Sequence, residues 1–287
     1  MRIHAAGVSI SDCVIRGGNV RPLMWLPFRL FVGFWRPRDR ILGLELSGTV
    51  EAVGAKVSRF RPGDEIFACA GRHFGAYAEY VCLREGGKTF PSQCVIALKP
   101  QIMSHSEAAT VPTRGTMALH FLKTAHVRRG ERVLIYGASG GIGTFAVQIA
   151  KHLGAEVTAV CGKANTHLVQ SLGADRVMHY DAEGTADSVS AYDVFFDAAG
   201  RTKSSSLKSR CISALTSGGR IISVDRPAKI SASTLDELIQ LIQTGVVRPV
   251  LDKVYTLAQV ADAQRYVELG HKRGGVAVIM NGIAPTA

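Results

Sequence analysis

Three glycines, Gly137, Gly140 and Gly143, lie in the run Val133-Leu-Ile-Tyr-Gly-Ala-Ser-Gly-Gly-Ile-Gly143. A turn without side chains lets a pyrophosphate approach the backbone, and free N–H groups at a helix start can bind it. The spacing is G-x-x-G-x-x-G, one residue off the usual dinucleotide fingerprint, and a glycine triplet alone is weak evidence. The residues expected to face the phosphates are Ser139, Gly140, Gly141, Ile142 and Gly143. The bland alternative is a tight turn in an α/β domain that holds no ligand.

Charge supplies a second signal. In an NAD-binding unit, an Asp or Glu roughly 20 residues past the first glycines holds the ribose 2′-hydroxyl and would repel a 2′-phosphate. Here the second strand ends at Cys161-Gly162-Lys163, and no acid follows until Asp175. Lys163 offers the opposite charge, though as a point charge rather than a fork. NADPH is therefore the expected cofactor. The alternative for Lys163 is an ordinary solvated lysine.

These residues need a strand–turn–helix to position them. Val133 to Tyr136 is apolar and strand-like, and Ile142, Ala146, Ile149, Ala150 and Leu153 then fall on one helical face. Gly154 stands where such a helix would stop. A second strand, Glu156 to Cys161, follows at once, as a βαβ unit requires. Beyond it, Leu168 and Leu172 mark a helix closed by Gly173. Arg176–Tyr180 and Tyr192–Asp197 read as strands. Leu207, Cys211 and Leu215 mark a helix ended by Gly218-Gly219, and Arg220–Val224 is a fifth strand. Strands alternating with helices mean a doubly wound parallel sheet.

The first hundred residues read differently. Arg2–Val8 is a strand, and Ser9, Ser11 and Asp12 cluster in a loop after it. Ser47–Val53, Val57–Phe60, Glu65–Cys69 and Ala76–Leu83 are short β segments punctuated by glycine, which suggests a small barrel. Ser104–Ala125 is helical and leads to the glycine turn. Thr234 with Glu237 and Thr256 with Gln259 read as capping boxes. Val276–Met280 is a last strand before a loose tail from Asn281.

Residues 21–36 stand apart: both tryptophans and three phenylalanines occur there among arginines. The segment reads as a lid over an apolar pocket, as a membrane-surface segment, or as a helix that packs on the core.

The chain has 287 residues, 47% of them apolar, and a formal charge of +11. That length fits one large or two medium domains. The charge favours anionic ligands and leaves nucleic-acid or membrane contact open without showing it. The six cysteines make no C-x-x-C pair, so neither a zinc knuckle nor a redox pair is signalled. No signal-peptide pattern or spanning apolar run is read, and the expected compartment is the cytoplasm.

The motifs, taken together, resemble the medium-chain dehydrogenases/reductases, in their zinc-free quinone oxidoreductase-like branch. The stretches that carry the likeness are His4–Asp12, Gly43–Gly48, Val53-Gly54, Phe60–Asp64, Gly75–Tyr80, Tyr136–Gly143, Leu172–Asp175 and Ala214–Gly219, in the family's order. The resemblance implies a GroES-like β-barrel over residues 1–100, shortened at its N-terminus. It also implies a Rossmann NADP-binding domain over 101–245 and a segment 246–287 returning to the first domain. Cofactor and substrate would share a cleft between domains. Thr116, and Tyr180 near the adenosine phosphate, join the expected cofactor residues.

Zinc-dependent relatives place a cysteine, a histidine and a further cysteine where this chain has Ser9, Leu44 and a position near Thr110. Leucine cannot bind zinc, so no metal site is expected. Glu45, the acid beside the missing histidine, is then structural. Ser9 and Asp12 fall in the loop the family sets near the nicotinamide and are the expected catalytic pair; the alternative for Asp12 is a turn cap. Tyr77 and Tyr80 are weaker proton-donor candidates. The resemblance also implies residues before Met1, and a glycine-rich loop and subunit-pairing strand after Val224, which this chain passes over. Monomer and homodimer both stay open. The implied activity is NADPH-dependent hydride transfer to a quinone, enone or aldehyde. The rival is an NADPH-binding protein without turnover that acts through RNA or protein contacts.

Overall fold

The computed structural model describes residues 1–18, 20, 22–35, 38–85, 94–181, 191–200, 205–228 and 230–280. The tail expected to be loose, from Asn281, lies outside the described residues. Along the chain come β1 (Arg2–Val8), α1 (Ile10–Gly17), α2 (Pro22–Val32), β2 (Glu45–Thr49), β3 (Glu65–Cys69) and β4 (Val95–Leu98). Then follow α3 (His105–Ala108), α4 (Pro112–Thr124), β5 (Arg132–Tyr136), α5 (Gly143–His152), β6 (Glu156–Cys161), α6 (Thr166–Ser171) and β7 (Arg176–His179). The last are β8 (Tyr192–Asp197), α7 (Ser206–Ser213), β9 (Leu215–Ser223), α8 (Ala232–Gln243), β10 (Leu251–Thr256), α9 (Val260–Glu268) and β11 (Gly275–Ile279). Two compact units emerge: Met1–Thr113 with Leu251–Ala287, and Arg114–Val250.

The first unit is built on a six-stranded sheet, ordered β10-β11-β1-β2-β3-β4. Neighbours run antiparallel except β10 and β11, which are parallel. One face buries Ile3, Leu46, Ile66, Ile96, Val276 and Val278, with Val267 of α9 packed among them. Gly48 is required by contact: a Cβ there would stand 2.0 Å from the Arg2 carbonyl oxygen.

Several short-range expectations fail here. Ser9–Asp12 is not a loop. The Ser9 amide and hydroxyl both donate to Asp12 Oδ2, at 2.8 and 2.6 Å, and this box starts α1. Val57–Phe60 forms no strand, because the Val57 amide turns back to the Gly54 carbonyl. Ala76–Leu83 reaches β1 only at its edge, through the Arg2–Tyr80 bridge and the Ile3 and Val81 amides, since β1 already pairs with β2 and β11. The strand expected from Ser47 to Val53 stops at Thr49.

The second unit carries a parallel sheet, ordered β7-β6-β5-β8-β9. Its central strand β5 is buried from Val133 to Tyr136, as a strand covered on both faces must be. Leu215 and Gly218-Gly219 belong to β9, not to the preceding helix. α7 closes at Ala214, and pairing of Tyr192 with Leu215 draws the next residues into an irregular strand. The cap of α8 is Ser231, whose hydroxyl accepts from the Thr234 amide; Glu237 lies inside the helix and meets Lys123 at 2.7 Å. The box at Thr256 and Gln259 is present as expected.

Candidate functional site

β5 ends at Tyr136 and the chain turns at Gly137, whose φ of +88° suits glycine. The amides of Gly137 and Ala138 both donate to the Val160 carbonyl of β6 at 3.0 Å, which pins the turn to the sheet. Gly140 donates to the Gly137 carbonyl at 3.0 Å. Gly143 must lack a Cβ: the added carbon would stand 2.2 Å from the Gly137 oxygen and 2.7 Å from Ala138 Cα. α5 therefore starts tight against the strand it follows. No side chain caps it. Among the described residues, the amides of Gly141, Ile142 and Gly143 find no protein acceptor. They leave the positive end of a ten-residue helix open for an anion. The turn thus fits a pyrophosphate, and Ser139 to Gly143 are brought together as expected.

The strand order places the turn at a switch point, since β6 lies on one side of β5 and β8 on the other. At the end of β6, Asn165 donates to the Ser139 hydroxyl at 3.0 Å and ties the second loop to the first. Lys163 opens the short 3-10 turn between them and is exposed. Register pairs Cys161 with His179, so Lys163 and Tyr180 leave neighbouring strand ends, and the Tyr180 amide donates to the Cys161 carbonyl. The Tyr180 ring meets Tyr136 edge-on at 5.2 Å, and burial raises its hydroxyl pKa, so it stays protonated. Asp175, the first acid after Lys163, is occupied elsewhere: it takes Lys151 at 2.7 Å and the Val157 amide. Burial would raise its pKa, but those partners outweigh it and hold the carboxyl below its usual value. Thr116 is fully buried in α4.

Sequence reasoning missed the group at the end of β8. Asp197 takes Lys208 at 2.6 Å, the Gly200 amide at 2.9 Å and the Ser223 hydroxyl at 3.2 Å. Lys208 also donates to the Gly200 carbonyl and lies 5.6 Å from the Tyr136 ring centre, and the Tyr136 hydroxyl meets Ser205. A carboxylate ending an apolar strand was the available signal.

In the first unit, Asp12 is 1% exposed and holds Ser9, so the two are together. Glu45 is buried and accepts from the Thr113 amide at 2.7 Å. Leu44 is buried in the core, and Thr110 donates to the Glu107 carbonyl. Tyr77 is half-buried with its hydroxyl toward the Gly7 carbonyl, and Tyr80 is exposed. Among the described residues, no three His, Cys, Asp or Glu side chains gather as a metal set.

Comparison with known proteins decides the family. The alcohol dehydrogenase GroES-like domain model matches residues 1–94, and zinc-binding dehydrogenase models match 141–244 and 226–278. The NAD(P)H oxidoreductase RTN4IP1, mitochondrial, of Danio rerio is 30% identical over 97% of this chain and 82% of its own. The chain belongs to the medium-chain dehydrogenase/reductase superfamily. Its place is the quinone oxidoreductase-like branch, and it is an oxidoreductase that works with a nicotinamide cofactor. The NADPH-dependent alkenal/one oxidoreductase, chloroplastic, of Arabidopsis thaliana is 28% identical, covering 84% of this chain and 64% of that one. The quinone oxidoreductase structure from Coxiella burnetii superposes with a TM-score of 0.77 at 25% identity, covering 97% and 89% of the two chains. No helix among the described residues is long and apolar enough to cross a membrane.

Proposed function

We propose that this chain is a zinc-independent, NADPH-dependent reductase of a quinone, an enone or an aldehyde. The observation that carries the cofactor choice is the end of β6, where Lys163 stands exposed beside the glycine turn and no acid stands in its loop. The amides of Gly141, Ile142 and Gly143 would take the pyrophosphate. Lys163 would take the 2′-phosphate, with Tyr180 beside it. Thr116 is kept as a cofactor residue on the resemblance alone. A bound nicotinamide supplies a hydride.

The chain's own part is to hold the acceptor, and the proton that accompanies the hydride would come from water. Ser9 can bond the substrate oxygen once its hydroxyl turns from Asp12, and Asp12 is then a positioning residue that fixes Ser9 at the end of β1. Zinc independence is supported by the donor set. Leu44 has no ligand atom, Thr110 spends its hydroxyl on a carbonyl, and a serine is a poor ligand. The six free thiols suit a reducing compartment.

The test is binding and turnover on one preparation. NADPH should bind at least about tenfold tighter than NADH, about 1.4 kcal/mol, and Lys163→Glu should erase most of that gap. NADPH oxidation should follow addition of quinones or enones. Equal affinities refute the cofactor reading. Tight NADPH binding without turnover, together with salt-sensitive RNA binding, would favour the non-enzymatic rival.

A further inference from the structure

α2 and the turn through Trp35 are not the core-packed helix that the aromatic content of residues 21–36 allows. Among the described apolar side chains of α2, Phe28 and Val32, four residues apart, are the least exposed: Val32 is buried and Phe28 half-buried. Leu23, Leu26 and Leu30, spaced i, i+3 and i+7, form the opposite face and are 88%, 53% and 58% exposed. The turn that follows, joined to α2 through Trp25, adds exposed aromatic rings to the segment. Phe34 and Trp35 are exposed, Trp35 to 88%, and their rings stack edge-on at 5.2 Å. Trp25 meets Phe34 edge-on at 6.1 Å. The Arg29 guanidinium lies 5.9 Å from the Trp25 ring centre and donates to the Phe34 carbonyl, so helix and turn form one surface. Single exposed leucines are common, but this many large apolar side chains exposed within one short segment mark a binding surface.

Charge decides among occupants. Residues 21–40 contain five arginines and one acid, Asp39, a net +4. Arg38 and Arg40 are exposed beside the aromatic turn. A second copy of the chain would bring the same +4 against it, within a molecule already at +11. An anionic surface is the complement. At 11 residues and about 1.5 Å each, α2 is far too short to span a bilayer, but it can lie in the interface. Tryptophan and arginine beside exposed leucines are the composition of such segments.

We propose that α2 and the turn through Trp35 are a docking face for an anionic lipid surface, lying in the membrane plane. The arginines supply long-range attraction, and the leucines and tryptophans enter the headgroup boundary. This is independent of the catalytic reading.

Trp25 and Trp35 are the only two tryptophans of the chain, so tryptophan emission reports on this segment alone. The full chain is titrated with phosphatidylserine-containing vesicles and with pure phosphatidylcholine vesicles, with flotation in parallel. Emission should shift to the blue with the anionic vesicles. The shift should shrink sharply at ~1 M salt, where the Debye length is about 3 Å. Arg38→Glu with Arg40→Glu should weaken partitioning at least about tenfold, at roughly fivefold per basic side chain. Leu26→Glu with Leu30→Glu should abolish it. All four positions are solvent-exposed, and unchanged circular dichroism would show the fold intact. No shift and no flotation overturns the proposal. A blue shift that grows with protein concentration without lipid also overturns it, in favour of self-association. So does a shift produced by NADPH and an enone alone, in favour of a lid.

Discussion

Replacing Gly143 with alanine separates the glycine turn as an ordinary bend from the turn as an anion cradle. The φ of Gly143 lies outside the left-handed region, so backbone freedom is not its reason for being glycine. By helix propensity alone, alanine at this position would gain up to about 1 kcal/mol. The geometry predicts the opposite sign. The new carbon would stand 2.2 Å from the Gly137 oxygen, where ordinary contact begins at 3.4 Å, and the neighbouring atoms at 2.7 and 2.8 Å are also backbone. No flexible side chain can give way. Either α5 moves off the strand end or the turn opens. Overlap of this kind costs about 1–3 kcal/mol, more than the propensity gain. Either movement also misaims the amides of Gly141, Ile142 and Gly143, so NADPH should bind at least about tenfold more weakly, about 1.4 kcal/mol. The assays are urea unfolding followed by circular dichroism, and cofactor titration by fluorescence. Two controls frame them. Gly54→Ala, in the other unit, meets nothing within 4 Å and should change neither quantity. Gly48→Ala, 2.0 Å from the Arg2 oxygen in the other unit, should lose stability without loosening cofactor in the protein that remains folded. Gly143→Ala with unchanged stability and unchanged affinity would refute the reasoning.

A pH effect follows from the first unit. His105 is held at a pKa of about 4, against an ordinary 6.5, by burial first and by the neighbouring His4, 4.4 Å away ring to ring; Glu65 opposes this and Lys99 adds to it. His4 is lowered too, by burial and Arg2 against Glu65 and Glu51. A folded pKa below the unfolded one means stability is complete above about pH 6.5 and falls as pH drops toward 4. The ring is partly accessible, so the loss is about 1–2 kcal/mol rather than the full linkage value. Urea unfolding at several pH values should show this slope, and His105→Gln, which can keep the bond to Ser47, should flatten it. A slope unchanged in the variant would assign the effect elsewhere. At the proposed catalytic pair, Asp12→Ala should cost about 1–2 kcal/mol by leaving the Ser9 amide and hydroxyl without their acceptor. It should also lower kcat without moving the KM for NADPH, as should Ser9→Ala. Lost stability with kcat intact would make Asp12 a helix cap and no more.

In the second unit the sequence alone was enough for the glycine turn and the elements on either side of it. Val133–Tyr136, the glycines and Gly154 fix a strand, a tight turn and a helix stop by local sterics, and the next apolar runs must pair with that strand to be buried. The missing acid after Cys161 was equally legible, because charge complementarity to a phosphate needs no tertiary information. What failed was whatever depended on which neighbour a segment would meet. Ser9 and Asp12 looked like loop residues until their mutual bonding started α1. Leu215 kept a helical spacing, but pairing with Tyr192 made it a strand residue. Asp197 and Lys208 are 11 positions apart, and only the parallel sheet and α7 bring their charges to 2.6 Å. Residues 21–36 show the limit best. Their composition allowed a core helix, a lid or a surface segment, because hydrophobicity says that a face wants to leave water but not what will cover it. Tertiary structure decided that the rest of the described chain does not cover it.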